Sequence, residues 1–145
     1  MKRICCLFFV ATLVLSLAGC QGGVDMPTAD ESSAAFFACV AAGDYEAAKG
    51  YLHPSYSQDL ESYFTSLEEQ HPGLDFQSGL EVETGVGEKG INLSWSWYDS
   101  TVGGSQYTRN FWLTVSGMTL YATVKVVENK DGYGIYDLTI TPAGE

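Results

Sequence analysis

The chain has 145 residues, 46% of them hydrophobic, a share that supports a packed core rather than a disordered segment. Eighteen acidic residues against seven basic ones give a formal net charge of −11. That balance argues against a nucleic-acid partner and against electrostatic adhesion to anionic lipid.

Lys2 and Arg3 open the chain, followed by an apolar run from Ile4 to Leu17 that only Thr12 and Ser16 interrupt. A cationic start, an apolar stretch of this length and small residues ahead of a cysteine make a secretory signal, removed from the mature protein. At ~1.5 Å per residue the run reaches only ~21 Å, short of the ~30 Å hydrocarbon core, which disfavours an uncleaved spanning helix. Leu17-Ala18-Gly19-Cys20 resembles the lipobox of bacterial lipoproteins. The resemblance implies cleavage before Cys20 and diacylation of its thiol, and two acyl chains anchor stably where one binds reversibly. The expected organisation is therefore a lipoprotein signal over 1–19, the lipidated cysteine and a flexible leash over 20–26, and one domain over 27–145. The domain is expected to be extracytoplasmic, tethered to the outer side of a bacterial membrane.

Processing leaves Lys49, Lys89, Arg109, Lys125 and Lys130 against eighteen acids, a net charge of −13. Cys5 and Cys6 depart with the signal and Cys20 carries lipid, so Cys39 is left with no partner for an intramolecular disulfide. Its setting of Ala, Phe and Val at helical spacing reads as a small buried hydrophobe.

Gln21 to Met26 is short, polar and Gly-containing, as a leash requires. Thr28-Ala29-Asp30-Glu31 has capping-box spacing behind Pro27, predicting a first helix from Thr28 to about Ala42 with Phe36, Phe37, Val40 and Ala41 inward. Gly43 stops it and Asp44 caps a second helix over Tyr45 to Leu52, which ends at His53-Pro54. Ser55-Tyr56-Ser57-Gln58 repeats the box and opens a third helix to about Gln70, with Tyr56, Leu60, Phe64 and Leu67 on one face. His53 and His71, each before a proline at a helix end, read as C-terminal caps favoured by the helix dipole.

From there the period changes from 3.6 to 2. Antiparallel strands are expected near 79–86, 91–99, 106–116, 118–128 and 133–141. Gly87-Glu88-Lys89-Gly90, Gly103-Gly104, Ser116-Gly117 and Asn129-Lys130-Asp131-Gly132 supply the turns. Alternation puts Ile91, Leu93, Trp95 and Trp97 on one side of the second strand. Phe111, Leu113 and Val115 share a side of the third, and Met118, Leu120, Ala122, Val124 and Val126 a side of the fourth. The fold class expected is α+β, three N-terminal helices covering a curved antiparallel sheet of about five strands.

The stretch Ala34 to Ala48, with its helix, Gly43-Asp44-Tyr45 junction and second helix, resembles the opening of nuclear transport factor 2-like domains, and Tyr51-Leu52-His53-Pro54 resembles their second-helix ending. Asp131-Gly132-Tyr133-Gly134-Ile135-Tyr136-Asp137-Leu138 is similar to their last strand, with Tyr133 where a tryptophan is usual. This resemblance, to the superfamily holding the SnoaL-like and lumazine-binding-like domains, implies a cone-shaped fold open at one end and a sheet that often pairs through its outer face. It supports fold more than function.

Chemistry is sparse. The sequence has neither a G-x-S-x-G elbow nor a phosphate loop after a strand, and too few ligands converge for a zinc site, so no cofactor and no metal are expected. Asp99, in line with Trp95 and Trp97, and Asp137, in line with Tyr133 and Ile135, are the strand carboxylates that alternation aims inward. Against an apolar wall either would gain a raised pKa and act as acid or base, although Asp99 adjoins a turn where carboxylates are usually solvated. Trp95, Trp97, Tyr98, Tyr107, Phe111, Trp112 and Tyr121 crowd three consecutive strands, with Tyr98, Trp112 and Tyr121 falling opposite Phe111 and Leu120. Arg109, in line with Tyr107 and Phe111, either meets an anionic ligand or pairs with a carboxylate. The expected ligand-binding residues are thus Trp95, Trp97, Asp99, Tyr107, Arg109, Trp112 and Tyr121. The expected function is a non-enzymatic domain binding a small ligand or an envelope protein. The alternatives are a SnoaL-like enzyme using an inward carboxylate and a structural module dimerising through its sheet.

Overall fold

Asp25, not Thr28, opens the first helix. A computed structural model describes residues 23–84 and 96–143 of the chain, and in it the Asp25 carboxylate accepts the Thr28 N–H at 3.0 Å. Helix α1 runs over Met26–Ala41, with Pro27 in the first turn where its missing N–H costs nothing. The aspartate supplies the acceptor one turn earlier than the expected capping box, and Val24, 3% exposed, already belongs to the core. Folded structure therefore begins by Val24. Ala29, Ser33, Phe36, Phe37 and Val40 form the buried stripe at helical spacing.

Gly43 at φ +69° ends this helix, and Asp44 caps α2 (Tyr45–Lys49) by accepting the Ala47 N–H. The second helix stops short of Leu52 because the chain leaves it to pair with the sheet. His53 N–H donates to the Ile135 carbonyl at 2.8 Å and Ile135 N–H to the Tyr51 carbonyl at 2.9 Å, a parallel bridge at Leu52. Helix α3 (Leu60–Gln70) is capped by Asp59 rather than by the box at Ser55, whose N–H is taken by His53 Nδ1. Leu60, Phe64 and Leu67 are buried as their spacing predicts, Tyr56 is half-buried ahead of the helix, and His71 is the C-cap.

The strands are β1 (Glu81–Thr84), β2 (Ser96–Asp99), β3 (Gly104–Val115), β4 (Met118–Asn129) and β5 (Gly132–Pro142). All pair antiparallel in one sheet ordered β1-β3-β4-β5, with β2 beside β1 along the same edge of β3. Ser116 and Gly117, at φ 55° and 75°, form the two-residue hairpin between β3 and β4, the positive-φ pair that matches strand twist. Between β4 and β5 the register shifts at Lys125/Val126: Val126 faces Ile135 and Lys125 faces Asp137, leaving Tyr136 as the extra residue of a bulge.

The helices cover the face bearing Tyr107, Phe111, Leu113, Val115, Leu120, Ala122, Val124, Val126, Ile135, Leu138 and Ile140, all buried. Cys39 lies among them at 3% exposure. Aromatic rings tie the layers: Phe37 meets Phe36 and Phe111 edge-on at 5.2 and 5.7 Å, and Phe64 meets Phe76 at 4.9 Å. Such contacts contribute beyond their buried area, about 0.5–1.5 kcal/mol each. Among the described residues the fold is thus α+β, three helices on a five-stranded antiparallel sheet.

Candidate functional site

The inner face of β3 is apolar from Phe111 onward but carries Tyr107 and Arg109 in its first half. Above them α1 places Asp30 on the same helical side as Ser33 and Phe37, an acidic residue on a core-facing stripe. The Tyr107 hydroxyl donates to Asp30 Oδ1 at 2.9 Å, and Arg109 Nε stands 3.3 Å from the same oxygen. The Arg109 side chain is 12% exposed and that of Asp30 29%. Of the two roles open to Arg109, pairing with a carboxylate is the one observed.

Beside this trio, Ser32 (6% exposed) and Tyr133 bring two more hydroxyls, Ser32 from α1 and Tyr133 from β5. Burial pushes the Tyr133 phenol up to about 12; the adjacent Ser32 offsets part of this, and the charges of Glu128, Asp25 and Asp30 add to it. The two hydroxyls are close enough to act on one another but miss good hydrogen-bond geometry, and among the described residues neither buried oxygen has a further partner. Buried polar groups are rarely left so.

The remaining expected site residues do not join this cluster. Trp112 and Tyr121 are register partners on the outer face, half-buried, with rings 5.0 Å apart in an edge contact. Trp97 also faces outward: β2 pairs Ser96 with Tyr107 and Trp97 with Gln106, so Ser96, not the tryptophan, turns toward the helices. That phase reverses the expected one, and it puts Tyr98 on the inner side at the sheet end, 70% exposed. Trp95 and Cys20 lie outside the described residues.

Neither expected inward carboxylate is inward. Asp99 folds back on its own turn, accepting the Thr101 N–H at 2.8 Å and hydroxyl at 2.6 Å, and those bonds hold it below the ordinary carboxylate range. Asp137 is turned outward by the bulge at Tyr136 and is exposed opposite Lys125. A carboxylate that does face the sheet is Asp30 on α1, whose signal in the sequence was an acid at the i−7 position from Phe37 on the stripe that carries Ser33 and Phe37.

His53 is not a helix cap. It is 1% exposed, its Nδ1 accepts the Ser55 N–H at 3.0 Å and its Nε2 donates to Asn129 Oδ1 at 3.0 Å, which assigns the ring proton to Nε2. Both ring nitrogens are thus engaged within the fold. Among the described residues no three His, Cys, Asp or Glu side chains converge to hold a metal ion, and no helix is long and apolar enough to cross a membrane. What the Asp30 cluster can do is accept and donate hydrogen bonds to a small polar molecule at the end of the sheet. No protein-family model, curated protein or solved structure matches this chain.

Proposed function

We propose that this chain is a bacterial lipoprotein, anchored through a diacylated Cys20 to the outer side of a membrane. Its nuclear transport factor 2-like domain binds a small polar ligand without chemical turnover. The lipobox-like Leu17-Ala18-Gly19-Cys20 behind a cationic, apolar leader supports the anchor. The single observation that carries the binding reading is the pair of buried hydroxyls of Ser32 and Tyr133, poorly satisfied by one another, beside the Asp30, Tyr107 and Arg109 cluster.

A native mass spectrum of the processed protein, purified gently from its membrane, tests both parts. Added covalent mass at Cys20, lost in Cys20→Ala, is expected for the anchor. A non-covalent mass that Tyr133→Phe with Ser32→Ala weakens is expected for the site. A bare protein under conditions that keep it folded overturns the ligand reading. The half-exposed Trp112 and Tyr121 on the outer face favour a second reading, a homodimer through the sheet, which the stoichiometry in the same spectrum distinguishes.

A further inference from the structure

The connector between α2 and α3, residues 50–59, lies along the edge of β5. His53 N–H donates to the Ile135 carbonyl at 2.8 Å, and Ile135 N–H donates to the Tyr51 carbonyl at 2.9 Å. Pro54 packs on Gly132, where an added methyl group would stand 2.9 Å from the proline ring, and the backbone of Leu52 and His53 packs on Gly134. The connector thus clamps the start of β5 on both sides of Tyr133.

The His53 side chain, 1% exposed, fixes this clamp, and its two ring nitrogens play opposite roles. Nδ1 accepts the Ser55 N–H and Nε2 donates to Asn129 Oδ1, both at 3.0 Å. The Asn129 amide cannot turn over to reverse them, because its nitrogen donates to the Val102 carbonyl and its oxygen accepts two backbone N–H groups. Only a neutral ring fits these partners. An imidazolium carries a proton on each nitrogen and would set Nδ1–H against Ser55 N–H.

No counter-ion meets that second proton. Among the described residues no carboxylate bonds to the ring, and its packing partner on β5 is the Tyr136 phenol, 5.3 Å away. The charged residues of the elements around it are engaged elsewhere or exposed: Asp59 caps α3, Lys130 pairs with Asp131 in the turn, and Glu128 and Asp137 are in solvent.

We propose that His53 is an acid-sensitive latch: uptake of a second proton by its ring breaks the bond to Ser55 and frees the connector from the edge of β5. The latch does not rest on the ligand reading above, although the stretch it holds includes Tyr133. Once released, the ring meets water, where an imidazole takes up that proton near pH ~6.5. The docked connector binds one proton fewer than the open one, so docking weakens as pH falls.

Native-state hydrogen exchange on the processed protein tests this, with rates corrected for the pH dependence of exchange itself. Protection at the Ser55, His53 and Ile135 amides should fall about tenfold between pH ~7.5 and pH ~5.5, while the β3 and β4 amides hold theirs. His71→Gln removes the only other histidine and should leave that response intact. His53→Phe should show the lowered protection at both pH values. Ring-nitrogen resonances of the unmodified protein report the proton directly and decide the matter even if His53→Phe fails to fold. A ring that gains its second proton while the three amides keep their protection overturns the latch, and so does a ring still neutral at pH ~5.5. A fall in protection shared by β3 and β4, or one that persists with the same pH dependence in His53→Phe, also overturns it.

Discussion

His53 Nε2 and Asn129 Oδ1 meet at 3.0 Å, joining the connector between α2 and α3 to the turn between β4 and β5. The same amide oxygen accepts the N–H groups of Asp131 and Gly132, and the amide nitrogen donates to the Val102 carbonyl at 2.8 Å. One side chain thus holds three loops that are remote in sequence. A network of this kind is worth most when complete, because each partner left buried and unpaired costs its own desolvation.

Asn129→Ala should accordingly lower unfolding stability by about 2–4 kcal/mol, more than an ordinary turn substitution. His53→Phe retains a ring against Tyr136, 5.3 Å away, but strands the Ser55 N–H and takes one of three donors from the Asn129 oxygen, and should cost about 1–3 kcal/mol. Urea unfolding checks both, and because the two residues share a bond the double variant should lose less than the sum. Additive losses would show that the bond carries no coupling.

The periodic elements were legible because one face of each is buried. Phe111, Leu113 and Val115 on β3, and Leu120, Ala122, Val124 and Val126 on β4, alternate with less buried neighbours and are buried as read. Helix starts shifted because Asp25 and Asp59 compete with Thr28 and Ser55 for the same capping role, and spacing alone does not rank them. Face assignment failed where a single residue of phase decided it. The bulge at Tyr136 turned Asp137 outward, and the Ser96 to Tyr107 pairing turned Trp97 outward. Of the candidate site, Tyr107 and Arg109 were legible as neighbours on one strand face. Their partner Asp30 lies 77 residues from Tyr107, a tertiary relationship that no local pattern encodes.

Gly134 makes the bridge at Leu52 possible. It sits at φ +150°, and a Cβ there would lie 2.5 Å from His53 N and from the Leu52 carbonyl carbon. Backbone atoms on both sides cannot yield as a flexible side chain would, so Gly134→Ala should cost roughly 2–4 kcal/mol, combining strained dihedrals with displacement of the connector. Hydrogen exchange should show the Ile135 and His53 amides losing protection ahead of the β3 and β4 amides. Unchanged protection at those two positions would mean that the connector does not need the glycine.

Asp30→Ala leaves the Arg109 cation with its acidic neighbour gone and the Tyr107 hydroxyl without its acceptor. Because Asp30 is 29% exposed, the loss should fall below that of a fully buried pair, about 1–3 kcal/mol in urea unfolding. Arg109→Met in the same background removes the cation whose acidic neighbour has gone and should recover part of it. Tyr107→Phe alone should cost about 1 kcal/mol, one hydrogen bond. A recovery on Arg109→Met that equals zero would place the worth of Asp30 in packing rather than charge.

The pH dependence has two arms with opposite signs. Asp25, Asp59 and Asp99 are held below the ordinary 3.8 by bonds from Thr28, from the Ser62 backbone and hydroxyl, and from Thr101. Their contribution is therefore present above that value and lost as pH falls through the lowered native one. Asp59→Ser preserves a capping oxygen without the charge, so its stability gap from the native chain should close on acidification. Tyr56 and Tyr133 run the other way, since burial, chiefly, pushes both up to about 12 from 10.0. An acid raised in the fold keeps its full contribution below its unfolded value and loses it as pH climbs between 10.0 and about 12, where only the unfolded chain has given up the proton. Phenolate absorbance during an alkaline titration should show a late-ionising group of tyrosines, Tyr56 and Tyr133 among them with Tyr45 and Tyr63 also raised by burial, whose release coincides with unfolding, and Tyr133→Phe should remove one of them. Ionisation of Tyr133 before any loss of structure would mean that its hydroxyl already reaches water, and the pair with Ser32 would lose its standing as a ligand site.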